Sequence, residues 1–363
     1  MPLKSKAWLL SAYRAKSHAA WADWLTATFG KFDWQRLELP GRHFAWRIRG
    51  NPLSWLDMLP TEKPDLIIAT SMVDLATLKG LHPRLSGVRT VLYFHENQFA
   101  YPRGKKQLKT LEPKMVQLYG ALAADRVLFN SEYNRTSFLK GVRRLLDRMP
   151  DHVPPKVGDR IAAKSDVLPV PIRPIMPAGT RDPRLIVWNH RWEYDKAPDL
   201  FADAMIALAD RGVDFGLALL GQRHEQIPEA LTRLRETLAD RIVADDRLPL
   251  NEYRALLARA GIVISTSKHE FQGISMLEAA SAGCIPLVPD ALCYPEIYPA
   301  EYRYPADDRD ALADRLADWL AGNAPDPANV DAWYEERLEP AWRAKLMDEK
   351  TRFHEEMGRS RDA

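Results

Sequence analysis

Ser267-Lys268-His269-Glu270-Phe271-Gln272-Gly273-Ile274-Ser275-Met276-Leu277-Glu278-Ala279-Ala280-Ser281-Ala282-Gly283 decides how the chain is read. Residues 261–266 before it form an apolar run that predicts a buried strand, and residues 274–282 predict a helix. Glu270 then falls in the loop and Glu278 within the first turns of the helix. Gly273, lacking a side chain, lets a ligand approach the backbone closely. The unpaired amides around Gly273, Ile274 and Ser275 would point at a phosphate, aided by the positive end of the helix dipole. Two carboxylates at such a place suit hydroxyl recognition, one for a sugar and one for ribose. A solvated Glu278 beside an ordinary turn glycine is the plain alternative. It leaves the coincidence of strand, glycine turn and spaced glutamates without a reason.

Outward from that segment, short apolar runs alternate with helical patterns. Strands are expected at residues 185–188, 215–220, 242–244 and 285–288, and helices at 199–211, 229–240 and 251–259. The first half has the same rhythm, with strands at 7–12, 66–70, 89–94 and 126–129. That is the pattern of βαβ units and parallel sheets. Residues 151–165 are rich in Pro, Gly and charge and lead into Pro169, Pro171 and Pro174, which cannot sit in a central strand. The expected architecture is α/β, with two Rossmann-like domains at 1–172 and 173–335 facing each other across a ligand-binding cleft. A helical tail, 336–363, carries Trp342, Leu346 and Phe353 at near-helical intervals and is expected to pack back across both domains.

A chain of 363 residues suits two cores of ordinary size. Hydrophobic residues at 46% and charged residues at 28% exclude disordered and fibrous classes. No apolar run approaches the roughly 20 residues of a membrane span, and the N-terminal apolar stretch is too short for a signal-peptide core. Cys284 and Cys293 offer neither a disulfide framework nor metal-ligand spacing, so both are expected to be reduced core thiols of a cytoplasmic protein. The net charge of +2 conceals an asymmetry. Residues 1–172 hold 27 Lys and Arg against 15 Asp and Glu, leaving 24 against 34 for the rest. Such segregation points to a polyanionic partner for the first half.

The Glu270-x7-Glu278 spacing around Phe-x-Gly-Ile-Ser resembles the donor motif of retaining GT-B glycosyltransferases of the family 4 type. The resemblance implies that Glu270 and the amides of Phe271, Gln272, Gly273, Ile274 and Ser275 grip the donor sugar and diphosphate, and that Glu278 grips ribose. Trp188-Asn189-His190-Arg191-Trp192-Glu193-Tyr194-Asp195-Lys196 is similar to that family's Arg…Lys pair. Arg191 and Lys196 are thereby the candidate diphosphate ligands, where cations stabilise developing negative charge.

The first half narrows the choice. Ser11-Ala12-Tyr13, Ser17-His18, Trp46-Arg47-Ile48-Arg49-Gly50, Tyr93-Phe94-His95-Glu96-Asn97-Gln98 and Phe129-Asn130-Ser131-Glu132-Tyr133 resemble the tRNA-queuosine α-mannosyltransferase family. That resemblance implies GDP-mannose as donor and the cyclopentenediol of queuosine in tRNA as acceptor. It departs from the family at Arg14-Ala15-Lys16, where relatives carry glycines. His95 is the expected contact to the donor sugar, with Glu96 a weaker candidate base. Ser17, His18, Arg47, Arg49, Glu96 and Asn97, with the basic run Arg103, Lys105 and Lys106, are the expected acceptor side. Residues 42–49 interleave cations with aromatics, which suits backbone contact and base stacking, although the alternation also fits a strand. Arg135, Lys140, Arg143 and Arg144 form a third basic cluster on a predicted helix, where a solvated face is the default reading.

No carboxylate stands out as a nucleophile, so front-face attack is the implied mechanism, with no cofactor and no metal. Asp308-x-Asp310 imitates a metal-binding Asp-x-Asp but opens a helical stretch and reads as a helix start. Three rival readings remain at this level: a transferase acting on a lipid, polysaccharide or small molecule, a GT-B-fold epimerase, and a non-catalytic tRNA-binding protein.

Overall fold

The computed structural model describes residues 4–101, 110–176, 180–222 and 228–347. They divide into two compact units, one running to Val170 and resuming at Glu336, the other spanning Pro171–Glu335. In unit 1 the strands are β1 (Lys6–Arg14), β2 (Asp33–Pro40), β3 (Leu66–Thr70), β4 (Arg89–Phe94), β5 (Arg126–Phe129) and β6 (Ser165–Val167). Its helices are α1 (Lys16–Thr28), α2 (Phe44–Ser54), α3 (Leu75–Leu81), α4 (Glu112–Ala123), α5 (Glu132–Leu146) and α6 (Val157–Ala162). All pairings are parallel, in the order β2-β1-β3-β4-β5-β6. β3 is buried along its whole length, as a strand covered on both faces by helices must be.

Unit 2 holds β7 (Asp182–Trp188), β8 (Gly216–Leu219), β9 (Ile242–Ala244), β10 (Ala260–Ile264), β11 (Ile285–Pro289) and β12 (Arg303–Tyr304). Its helices are α7 (Pro198–Asp210), α8 (Glu229–Thr237), α9 (Leu250–Arg259), α10 (Ile274–Ser281) and α11 (Arg309–Asp318). The order β9-β8-β7-β10-β11-β12 is the doubly wound Rossmann arrangement, with its direction of winding reversing between β7 and β10. Asp308 caps α11 by accepting from the Ala311 amide at 2.9 Å, so Asp308-x-Asp310 is a helix start. Cys284 and Cys293 are buried free thiols.

The last helix, α12 (Glu335–Leu346), begins where the chain passes from unit 2 back into unit 1. The Glu335 amide donates to the Ile172 carbonyl (3.1 Å), and its carboxylate pairs with Arg173 (2.7 Å), within unit 2. The rest of α12 belongs to unit 1. Trp342 is fully buried against Tyr93, Trp24 and Trp21 at 5.0–5.8 Å, and its indole donates to the Pro169 carbonyl.

One alternative reading is excluded and two expectations need correction. Residues 42–49 are not a strand: α2 starts at Phe44 after a left-handed His43 (φ 55°). Residues 151–165 are not simply a connection, since α6 and the start of β6 lie there. The helix expected over 229–240 ends at Thr237, followed by a 3-10 turn at Ala239–Arg241.

Candidate active site

Parallel pairing of β7 with β10 places the loops that follow them side by side, at the switch point of the sheet. Lys196 ends the first loop and Glu270 lies in the second. Lys196 Nζ donates to Glu270 Oε2 (3.1 Å) and to the His269 carbonyl (2.7 Å), and pairs with Asp195 Oδ2 (3.4 Å). Two backbone ties lock the loops together: Thr266 Oγ1 donates to the Lys196 carbonyl, and the Lys268 amide donates to the Asp195 carbonyl. Lys196 is only 7% exposed. Burial would push its ammonium down, but the carboxylates of Glu270 and Asp195 outweigh it and hold the group above its ordinary value. Burial likewise pushes the Glu270 carboxyl up, and Lys196 overcomes it, leaving the carboxyl at about 2. The pair is therefore ionised at neutral pH.

Gly273 caps α10 in the left-handed region (φ 70°), and a Cβ there would stand 3.0 Å from Tyr294 Cε1. Only glycine meets both demands without strain. α10 has no side-chain cap, and among the described residues the Ile274 and Ser275 amides donate to nothing. Two open N–H groups at a helix N-terminus, beside a buried ammonium, form an anion site. Arg191, about half exposed, bonds Glu193 at 3.0 Å, and its charge acts on Lys196 and His190 from the rim. Glu278 is half-buried on α10, and its carboxylate has no hydrogen-bond partner among the described residues. Burial raises it against the pull of Arg254. Phe271 and Gln272 are 4% and 2% exposed, so their side chains are interior, and the Phe271 amide donates to Glu270 Oε1 at 3.1 Å.

Three participants were not singled out from the sequence. Asn189 donates to Tyr253 OH and to the Ser275 carbonyl, both at 3.0 Å, while its buried Oδ1 has no partner among the described residues. His190 Nε2 lies 2.9 Å from Ser265 Oγ, which also meets Tyr294 OH at 2.7 Å. Burial, then the charge of Lys196, lowers His190 to about 3, so it is neutral. Asp195 completes the Lys196 pair. The signal for Asn189 was its position directly after a buried strand; Asp195 was hidden because neighbouring opposite charges usually signify a solvated turn.

In unit 1, the first turn of α1 and the end of β4 bring His18 and His95 to a stacked pair, with ring centroids 4.2 Å apart and planes at 20°. His95 meets Trp21 and Tyr93 edge-on, each at 4.7 Å. His18 Nδ1 lies 3.0 Å from the Tyr13 carbonyl; because a carbonyl only accepts, Nδ1 carries the proton. Burial lowers His18 to about 4 and His95 well below its ordinary value, the latter also through His18. The buried His95 Nε2 has no partner among the described residues.

Other acceptor candidates have different work. Asn97 is wholly buried and braces its loop, donating to Asn134 and Ser137 and accepting from the Phe99 and Ala100 amides. Glu96 holds the same loop through its carbonyl, which accepts from Ser71 and Gln117. Arg49 is committed to Asp74 and Glu112, fixing α2 against α3 and α4. Arg47 is half-buried, with an unpartnered Nε among the described residues. Arg14, where the chain departs from the family pattern, pairs with Glu38 (3.1 Å). Asn97 is thus a buried brace rather than an open contact. Arg103, Lys105, Lys106 and the Ser17 side chain lie outside the described residues.

Among the described residues no helix is long and apolar enough to cross a membrane. Residues 6–172 match the family model described as tRNA-queuosine alpha-mannosyltransferase N-terminal, and residues 183–322 match glycosyl transferases group 1. A tRNA-queuosine alpha-mannosyltransferase of Drosophila melanogaster is 37% identical over 75% of this chain and 76% of its own length. Sucrose-phosphate synthase from Thermosynechococcus elongatus shares the fold (TM-score 0.66, 12% identity, 98% of this chain and 100% of that one). So does TarM of S. aureus (TM-score 0.58, 13% identity, 83% of this chain), of whose length the chain spans 58%.

Proposed function

Because the chain belongs to the tRNA-queuosine α-mannosyltransferase family, we propose that it moves mannose from GDP-mannose to the cyclopentenediol of queuosine in tRNA, in the cytoplasm. The observation that carries the donor side is the buried Lys196–Glu270 pair beside the two open amides of α10. In this reading the diphosphate lies at the α10 N-terminus against Lys196, with Arg191 turning from Glu193 toward it. Glu270 accepts from sugar hydroxyls. Glu278 takes ribose hydroxyls, which supply the hydrogen bonds its carboxylate lacks.

Breaking the sugar–phosphate bond places charge on the diphosphate. Preorganised cations and N–H groups stabilise that charge without reorganisation. Retention of configuration then follows from attack on the leaving-group face, the departing phosphate oxygen accepting the hydroxyl proton. Lys196 and Arg191 supply the neutralisation for which other transferases use a metal. In unit 1, the neutral His95 offers Nε2 to a sugar hydroxyl or to developing charge. Purified protein, queuosine-containing tRNA and a panel of sugar nucleotides test the reading, with digested nucleosides weighed by mass spectrometry. One hexose added to queuosine with GDP-mannose alone is the expected result. Hexose transfer from a different sugar nucleotide, or none to queuosine, would overturn donor or acceptor respectively.

A further inference from the structure

Away from the His18–His95 pair, unit 1 carries a second concentration of cations along α5. A cavity of about 450 Å3 is lined by Phe99, Tyr101, Lys114, Arg144 and Arg148, among others. A depression of about 410 Å3 shares Arg144 and Arg148 with it and adds Lys140 and Arg143. Against five cations, Asp147 is the single carboxylate lining either hollow among the described residues. Gly141 shapes the cavity: a Cβ there would come within 2.4 Å of Phe99 Cβ, so only glycine admits that side chain against α5. Phe99 packs edge-on against Phe138, and the Lys114 ammonium stands 5.5 Å from its ring.

Arg143 is held by Asp159 at 2.8 Å. Lys140, Arg144 and Arg148 are exposed and make no ion pair among the described residues. Lys140 and Arg144 stand one turn apart on α5, an unfavourable pairing of like charges, and Arg148 follows in the turn just beyond the end of the helix. The helix dipole favours Arg143 and Arg144 in the last turn, but it gives no reason for Lys140 a turn earlier. A bound polyanion would relieve the repulsion of all three. Apolar walls around charges of one sign also strengthen the field that attracts it.

We propose that the face formed by α5 and the turn after it docks the ribose–phosphate backbone of the acceptor tRNA, with Lys140, Arg144 and Arg148 as phosphate ligands. The proposal deepens the tRNA reading and rests on it. α5 begins after Ser131, close to the end of β4 where Asn130 Nδ2 bonds the His95 carbonyl at 2.9 Å. Arg144 lies thirteen residues along the chain, roughly 20 Å at the α-helical rise. The face therefore takes RNA several nucleotides from the modified nucleoside. It contributes to affinity and not to the chemistry.

The test is tRNA binding by the full-length protein, measured by fluorescence anisotropy over a potassium chloride series. Arg144→Ala/Arg148→Ala should weaken binding roughly tenfold near 0.1 M salt and reduce the slope of log K against log salt by about 2. Arg144→Lys/Arg148→Lys should keep the slope, separating charge from packing. A charge-matched control, Arg259→Ala/Arg309→Ala, alters exposed cations of unit 2 and should leave the slope intact. In the transfer assay the loss should fall on KM for tRNA rather than on kcat. An unchanged slope, or an equal loss in the control, would overturn the docking face. Equal weakening of GDP binding would reassign these cations to free nucleotide. Intact mannose transfer with a flat variant response would sink only this face. Steep, variant-sensitive tRNA binding without mannose transfer would sink only the acceptor reading.

Discussion

Lys196 and Glu270 are 74 residues apart and yet form one functional object. A buried ion pair is stable only while complete, because removing one partner strands a charge away from water at a cost of roughly 3–5 kcal/mol. Lys196→Met should accordingly destabilise unit 2 by about 3 kcal/mol and reduce transfer at least about a hundredfold, since both donor neutralisation and Glu270 placement fail. Lys196→Met/Glu270→Gln should recover most of the stability and none of the activity. Denaturant titrations and transfer rates on the two variants check this. An active double variant would refute the donor role of the pair while leaving its structural role standing. The pH window has a definite sign. With the folded carboxyl at about 2, the stabilisation from Glu270 is complete above the free carboxyl value of about 4.3. It is lost as pH falls toward 2.

The helix N-terminus of α10 is the element on which the donor reading turns. Gly273→Ala forces a Cβ into a left-handed residue and toward Tyr294, costing about 1–2 kcal/mol. It should also tilt the Ile274 and Ser275 amides and weaken GDP binding, which calorimetric titration would read. Gly273→Asn, better tolerated in that region, should lose less stability than the alanine variant. Undiminished GDP affinity in Gly273→Ala would mean that the amides do not hold the phosphate. This strand–loop–helix was legible in the sequence because every signal in it is local: an apolar run, a turn glycine and a helical pattern. Elements whose signal is weak locally were not. β2 alternates Asp33, Arg36 and Glu38 on an edge of the sheet, and β12 is two residues long, so neither shows the continuous apolar run of an interior strand. Asn97 was misjudged for the same reason in reverse. A polar residue after a strand resembles a ligand contact until tertiary packing shows it buried as a brace.

At the scale of the whole molecule, four histidines among the described residues are buried and neutral: His18 and His95 in unit 1, His190 and His269 in unit 2. Burial is the leading cause each time, and it lowers His18 and His269 to about 4 and His190 to about 3. The sign follows from proton counting. Between the folded values and the ordinary value of about 6.5, the unfolded chain binds more protons, so stability rises with pH across that window. Stabilisation from neutral burial is fully present above about 6.5 and is lost as pH falls toward 4. At 1.36 kcal/mol per unit, His18 alone can account for roughly 3 kcal/mol. Because the chain has two units, calorimetric scans should be fitted without assuming one transition. Thermal midpoints should fall steeply between pH 6.5 and 4.5, with His18→Gln flattening the dependence in unit 1 only. His18 stacks on His95, so a charge on either ring opposes a charge on the other, and both stay neutral until the surrounding core opens. A flat midpoint down to pH 4.5 would mean that these rings protonate in place. That would remove the reason for assigning His95 a neutral, hydrogen-bonding part in the reaction.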